Sequence, residues 1–210
     1  MSHVLHRFVM IVGLALGWAV GLVNGAVAAP LATEAAMAER SLGRADAPVT
    51  MLDFSSLTCP HCADFHLNTL PQLKTKYIDT GKLRLVFRDF PLDRYALQAA
   101  MLARCADPGL YFGFVEVLFK TQSQWARASN PGKALAQIGA LGGIPEADFD
   151  ACMNNKELFD KLLAQRQEIQ TKYDVQSTPT FVFNDGAEKI QGALPVEKFE
   201  EVIDRLLSSH

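Results

Sequence analysis

The chain has 210 residues, 49% of them hydrophobic and 20% charged, with a formal net charge of -3. This is ordinary globular composition, long enough for one good core. No basic stripe argues for nucleic acid, and removing residues 1–28, with one Arg and no acid, moves the charge only to -4.

The N-terminus reads as an export segment. His6 and Arg7 precede an apolar run from Phe8 to Val23, then come Ala26-Val27-Ala28 and Ala29-Pro30. That is the order of a charged n-region, an apolar h-region and a small-x-small cleavage site. The run has 16 residues, with Gly13, Gly17, Gly21 and Gly25 in it or just after it. A spanning helix needs about 20 residues, so cleavage after residue 28 is expected in preference to a retained anchor. Under either outcome Arg7 stays on the cytoplasmic side and the rest of the chain is exported.

Residues 29–47 read as a loose, Ala-rich lead-in with one short helical turn. Val49 to Phe54 is a buried strand, with Val49, Met51, Leu52 and Phe54 apolar. An amphipathic helix follows Cys59, with Ala63, Leu67, Leu70, Leu73 and Tyr77 on one stripe and a kink expected at Pro71, which has no N–H to donate. Lys82 to Phe90 alternates as a second strand. Residues 92–154 are helical in pieces, broken at Asp107-Pro108-Gly109, Asn130-Pro131-Gly132 and Gly142-Gly143-Ile144-Pro145, with Pro131 and Pro145 as first-turn prolines.

A longer helix spans about Lys156 to Tyr173. Thr180 to Phe183 is a strand, Asn184-Asp185-Gly186 a tight hairpin turn, and Ala187 to Gln191 its partner. Pro195 opens a last helix whose apolar face is Val196, Phe199, Val202, Ile203 and Leu206. Strands separated by a helix imply a right-handed βαβ unit, and the closing hairpin makes the sheet mixed: an α/β fold.

The chemistry centres on Cys59-Pro60-His61-Cys62, after the first strand and at the opening of a helix. The thiolate is the nucleophile of thiol–disulfide exchange, and a helix N-terminus stabilises it with free N–H groups and positive dipole. Pro60 fits the first helical position, and His61 can bring a second positive charge or donor close to the sulfur. Cys62 would be the resolving thiol, more buried and less acidic. A structural disulfide is disfavoured because a two-residue gap at a helix start closes a strained, reactive ring. Zinc needs about four ligands, usually with a second close pair, and Cys105 and Cys152 are not one, although His66 lies nearby. A c-type haem needs His directly after the second Cys, where Ala63 stands.

Asp53, Thr178 and Pro179 complete the pattern. Asp53 is either a solvated acid at a strand end or a buried carboxyl that moves protons to and from Cys62. Thr178-Pro179 is either an ordinary turn or a cis bond that brings backbone N–H and C=O beside the sulfurs to pair with an extended substrate. Phe112, Phe114, Phe119, Trp125 and Phe149 read as helix-face core rather than as a peptide-binding surface. An exposed apolar patch is expected around Cys59, with no residues assigned to it.

In these residues the chain resembles the DsbA-like thioredoxin-fold thiol:disulfide oxidoreductases. The resemblance runs over about residues 40 to 207: CPHC at a helix opening, Asp53 six residues before Cys59 where the family keeps a buried acid, Thr178-Pro179 where it has its cis-proline loop, and a helical block between two halves. It is strongest toward a branch with an extra cysteine pair in that block.

The implied layout is a signal peptide over 1–28, a lead-in over 29–47, thioredoxin-like halves over 48–91 and 155–210, and an inserted helical subdomain over 92–154. The implied activity is donation of the Cys59–Cys62 disulfide to reduced exported proteins in the periplasm. The chain would act as a monomer, without metal or organic cofactor, reoxidised by an integral membrane partner of the DsbB type. Cys105 and Cys152, 47 residues apart, are expected to form a structural disulfide on the grounds of export and even cysteine count.

Thr178 departs from the commonest oxidase pattern, which has Val there, and resembles the isomerase members instead. Isomerase or reductase activity is therefore the alternative within the same chemistry. A thiol-based metal handler would want a Met- or His-rich segment, and the six Met do not cluster.

Overall fold

The computed structural model describes residues 32–209; the export segment lies outside the described residues. Five strands form one sheet in the order β1-β3-β2-β4-β5, over Arg40–Leu42 (β1), Val49–Ser55 (β2), Leu83–Asp89 (β3), Thr180–Phe183 (β4) and Glu188–Gln191 (β5). β2 is central. It pairs in parallel with β3, Val49 opposite Leu83 and Ser55 opposite Asp89, and antiparallel with β4, Asp53 opposite Phe181. Both faces of β2 are covered, so Val49, Met51, Asp53 and Phe54 are all fully buried.

Thr33–Met37 forms the short helical turn expected of the lead-in (α1), and β1, not expected from the sequence, adds an antiparallel edge strand to β3. Arg40-Ser41-Leu42 lacks an apolar alternation, so periodicity gives no strand signal there. β1 is held by its ladder to β3 and by Arg40, whose guanidinium donates to the carbonyl of Ala35 at 3.1 Å.

The crossover from β2 to β3 is one helical run in four stretches: Pro60–Asp64 (α2), a π-helical stretch Phe65–Thr69, Leu70–Leu73 (α3), and a second π-helical stretch Lys74–Ile78. Instead of a simple kink at Pro71, the ladder changes register. The N–H of Leu70 already bonds to the carbonyl of Phe65, so the missing donor of Pro71 falls where the register changes. Phe65, off the apolar stripe of a regular α-helix, and His66, on it, are both buried here. Phe65 packs on Phe181 of β4, ring centroids 4.3 Å apart, and on Phe199, 5.2 Å away. Phe199 belongs to α10 (Val196–Ser208), which closes this side of the sheet with Val202, Ile203 and Leu206.

The helical block sits between β3 and β4 in the chain: α4 (Arg94–Cys105), α5 (Tyr111–Lys120), α6 (Gln122–Trp125), α7 (Pro131–Leu141), α8 (Glu146–Met153) and α9 (Lys156–Tyr173). Asp93 caps α4 by accepting from Tyr95 and Ala96, and Asn155 caps α9 by accepting from Leu158. Pro131 takes the first helical position of α7, whereas Pro145 and Pro195 stand one residue ahead of their helices, as N-caps. Phe114, Phe119, Trp125 and Phe149 are buried core, and the Trp125 indole donates to the Leu118 carbonyl at 2.8 Å.

The turn between β4 and β5 is longer than the sequence suggests. Asn184–Gly186 forms a 3-10 turn, Phe183 pairs with Glu188, and the Asn184 side chain accepts from the N–H of Thr50 at 2.8 Å. The junction of helices and sheet carries a buried ion pair, Arg104 Nε to Asp89 Oδ2 at 2.5 Å, and a second guanidinium nitrogen donates to the carbonyl of Ala36 at 2.8 Å.

Candidate active site

β2 ends at Ser55 and the chain turns through Ser56-Leu57-Thr58 into Cys59, whose N–H donates to the Ser56 carbonyl at 3.0 Å. Cys59 is extended, with φ -82° and ψ 121°, and is the N-cap of α2; Pro60 follows at the first helical position. The carbonyl of Cys59 accepts from Ala63 at 3.1 Å, so the unsatisfied N–H groups of the first turn point back toward the sulfur. Cys59 is 6% exposed and Cys62, one turn on, is fully buried; both are free thiols.

The surroundings split the two thiols apart. The Cys62 thiol, donating to Cys59, pulls the Cys59 thiol down to about 5; burial opposes this, and the backbone N–H groups of Cys62 and His61 add to the lowering. The Thr178 hydroxyl, near the sulfur but without a hydrogen bond of its own, acts in the same direction. Burial pushes the Cys62 thiol far up, helped by its bond to Cys59 and by the field of Asp53, against a 3.5 Å contact from the Ser56 N–H. His61 is exposed, and its influence on Cys59 comes through its backbone N–H.

Three more elements converge on this point. Asp53 is fully buried rather than solvated: its Oδ1 accepts from the Ser55 hydroxyl at 2.5 Å and its Oδ2 lies 2.7 Å from His66 Nε2. The Thr178-Pro179 bond is cis, and the Thr178 carbonyl accepts from the Cys59 thiol at 3.3 Å across 119 residues of sequence. From the helical block, the Gln122 amide donates to the carbonyls of Leu57 and Cys59, at 2.9 and 3.0 Å. Leu92, 48% exposed, is tied to the same loop by its N–H, which donates to Ser56 Oγ at 3.3 Å. Cys105 and Cys152 stand elsewhere, bridged to each other between α4 and α8.

A family model described as thioredoxin matches residues 35–205. The chain belongs to the thioredoxin family. Within it the chain stands with the DsbA-like members: the solved structure of Wolbachia pipientis alpha-DsbA1 matches with a TM-score of 0.75 at 34% identity, over 87% of this chain and 94% of that one. A Rickettsia felis protein provisionally named a protein-disulfide oxidoreductase is 32% identical over 167 residues, 79% of this chain. Disulfide bond formation protein D of Bacillus subtilis is 26% identical over 180 residues, 79% of this chain and 76% of that protein. The chain spans 59% of the length of the Rickettsia felis relative.

On the thioredoxin frame, the two site residues the sequence did not single out are His66 and Gln122. His66 has a weak signal, four positions after Cys62 and so on the same helix face. Gln122 has none: it is a polar residue in Gln122-Ser123-Gln124, and only the docking of α6 brings it to the cysteines.

Proposed function

We propose that this chain is a thiol–disulfide oxidoreductase of the periplasm, exported by residues 1–28, that donates the Cys59–Cys62 disulfide to reduced cysteines of exported proteins. The observation that carries this reading is the asymmetry of the pair: one thiol drawn down to about 5 at a helix N-terminus, the other fully buried and pushed up. A substrate thiolate attacks Cys59, the Cys59–Cys62 bond breaks, and Cys62 keeps the electron pair and gains a proton. A second substrate thiolate then attacks the substrate sulfur of the mixed disulfide, and Cys59 leaves as a stabilised thiolate. The substrate has lost two electrons and the CPHC pair has gained them. An integral membrane partner of the DsbB type would remove them again; the two thiols carry the electrons, so no cofactor is invoked.

Stabilising the Cys59 thiolate stabilises the reduced protein, which makes its disulfide an oxidant. Nucleophilic cysteines at about 3.5 and about 7 belong to proteins with potentials of about -120 and about -270 mV. Cys59 falls between them, so the expected potential of the Cys59–Cys62 pair lies between those limits. Redox titration against a glutathione buffer measures it, and a value at or below about -270 mV would overturn the oxidase direction. Thr178, whose hydroxyl faces Cys59, supports a second reading as an isomerase or reductase. Scrambled ribonuclease and insulin reduction, run on the same sample, separate the two.

A further inference from the structure

We propose that His66 is a positioning residue for the Cys62 half of the exchange: it holds Asp53 and conducts protons between that carboxyl and the pocket between α3 and α5. The inference rests on the disulfide-exchange reading of Cys59 and Cys62. Each turnover leaves a thiolate on Cys62 that must be protonated, and each reoxidation requires the Cys62 proton to leave. Cys62 and Asp53 are both fully buried, so neither trades protons with bulk water directly. Both Asp53 oxygens are occupied, one by the Ser55 hydroxyl and one by His66 Nε2. Of these two partners, only His66 has a ring with two nitrogens, so that a proton can enter at one and leave at the other.

His66 is also the partner that reaches outward. With Leu67, Leu70, Lys74, Phe112 and Glu116 it lines a pocket of about 380 Å³. Its ring stacks on Phe119, with centroids 4.5 Å apart and planes at 23°, and meets Phe65 and Phe87 at 5.3 Å. That clamp fixes Nε2 on Asp53 and leaves the second ring nitrogen for exchange. Around it stand Asp53 from β2, Glu116 from α5, and Lys74; Phe87 of β3 brings no charge.

Proton movement balances at each step. Asp53 passes a proton to the Cys62 thiolate, His66 returns one to Asp53, and water in the pocket reloads His66; reoxidation runs the sequence backward. The only electron donors and acceptors are the dithiol and the disulfide.

The test is stopped-flow reaction of the reduced full-length protein with a chromogenic aromatic disulfide. Attack by Cys59 releases one equivalent of aromatic thiolate, and closure by Cys62 releases a second. His66→Gln keeps an amide to hold Asp53 but cannot relay, and His66→Ala leaves room for added imidazole. For His66→Gln the second phase is expected to slow at least about tenfold and to lose its pH dependence, while the first stays within about twofold. Imidazole is expected to restore the second phase of His66→Ala. A His66→Gln second phase equal to wild type, or both phases slowed alike, overturns the proposal. So does a folded His66→Ala that imidazole fails to accelerate, and if that variant does not fold, His66→Gln decides alone. Release of only one equivalent by the wild type would instead overturn the exchange reading itself.

Discussion

Cys59 and Cys62 open one helix three positions apart, whereas Cys105 and Cys152 lie 47 residues apart and close two others. The first pair stands at a helix N-terminus, where N–H groups and dipole favour a thiolate. The second stands in the last turns of α4 and α8, where carbonyls and the negative end of the dipole oppose one. The same residue type therefore gives two free thiols in one place and a tether in the other, with Cα atoms 6.1 Å apart. Proximity in sequence does not separate the two pairs; the backbone groups facing each sulfur do.

The strongest way to break this contrast is to remove one sulfur at a time. Cys59→Ser is expected to abolish exchange, and Cys62→Ser to accumulate covalent substrate complexes on a non-reducing gel; equal trapping by both would erase the asymmetry. Replacing both Cys105 and Cys152 by Ala is next. Opening a 47-residue loop is expected to cost up to about 4 kcal/mol in urea unfolding. Thiolate absorbance of Cys59 should still titrate near about 5 in that variant, and a return toward 9.0 would show that the two pairs are coupled.

Acidity sharpens the comparison further. Cys59 in the folded, reduced protein is depressed from 9.0 to about 5, so its stabilisation is present in full above 9 and lost as pH falls through 5. The melting temperature of the reduced protein should therefore rise relative to the oxidised one from pH 5 toward 9. Above that range the raised Cys62 works the other way. A difference independent of pH would mean that Cys59 is not held as a thiolate. The smallest effect is expected at Gln122→Ala. Loss of its bonds to the Leu57 and Cys59 carbonyls should cost about 1–2 kcal/mol, read by urea unfolding, and slow the attack by Cys59 while leaving the Cys105–Cys152 bridge intact.

Local pattern carried a large share of this molecule. The apolar run Val49 to Phe54, the periodic stretch Lys156 to Tyr173 and the Cys-Pro-His-Cys motif each announce their own conformation, because strand burial, helix amphipathicity and N-capping are short-range properties. Asp53 and Thr178 were visible as candidates. A Thr178 carbonyl beside the sulfurs was one of two readings of its sequence, and the contact across 119 residues selects it; the His66 partner of Asp53, 13 residues away, was not foreseen. Edge strand β1 has no periodic signature and is held by its pairing with β3, and Phe65, off the apolar stripe, is buried by packing on Phe181 and Phe199 from distant segments.

That two thiols sit at a helix opening was legible in Cys59-Pro60-His61-Cys62 alone, because a capping position is set by the residues beside it. The fold adds the choice between the two readings of Asp53, which is buried, the imidazole of His66 that meets it, the amide of Gln122 over the cysteine loop, and the geometry of the expected Cys105–Cys152 bridge. Those outcomes depend on burial and on contacts between distant segments, which come into being only when the sheet and its helices close around them.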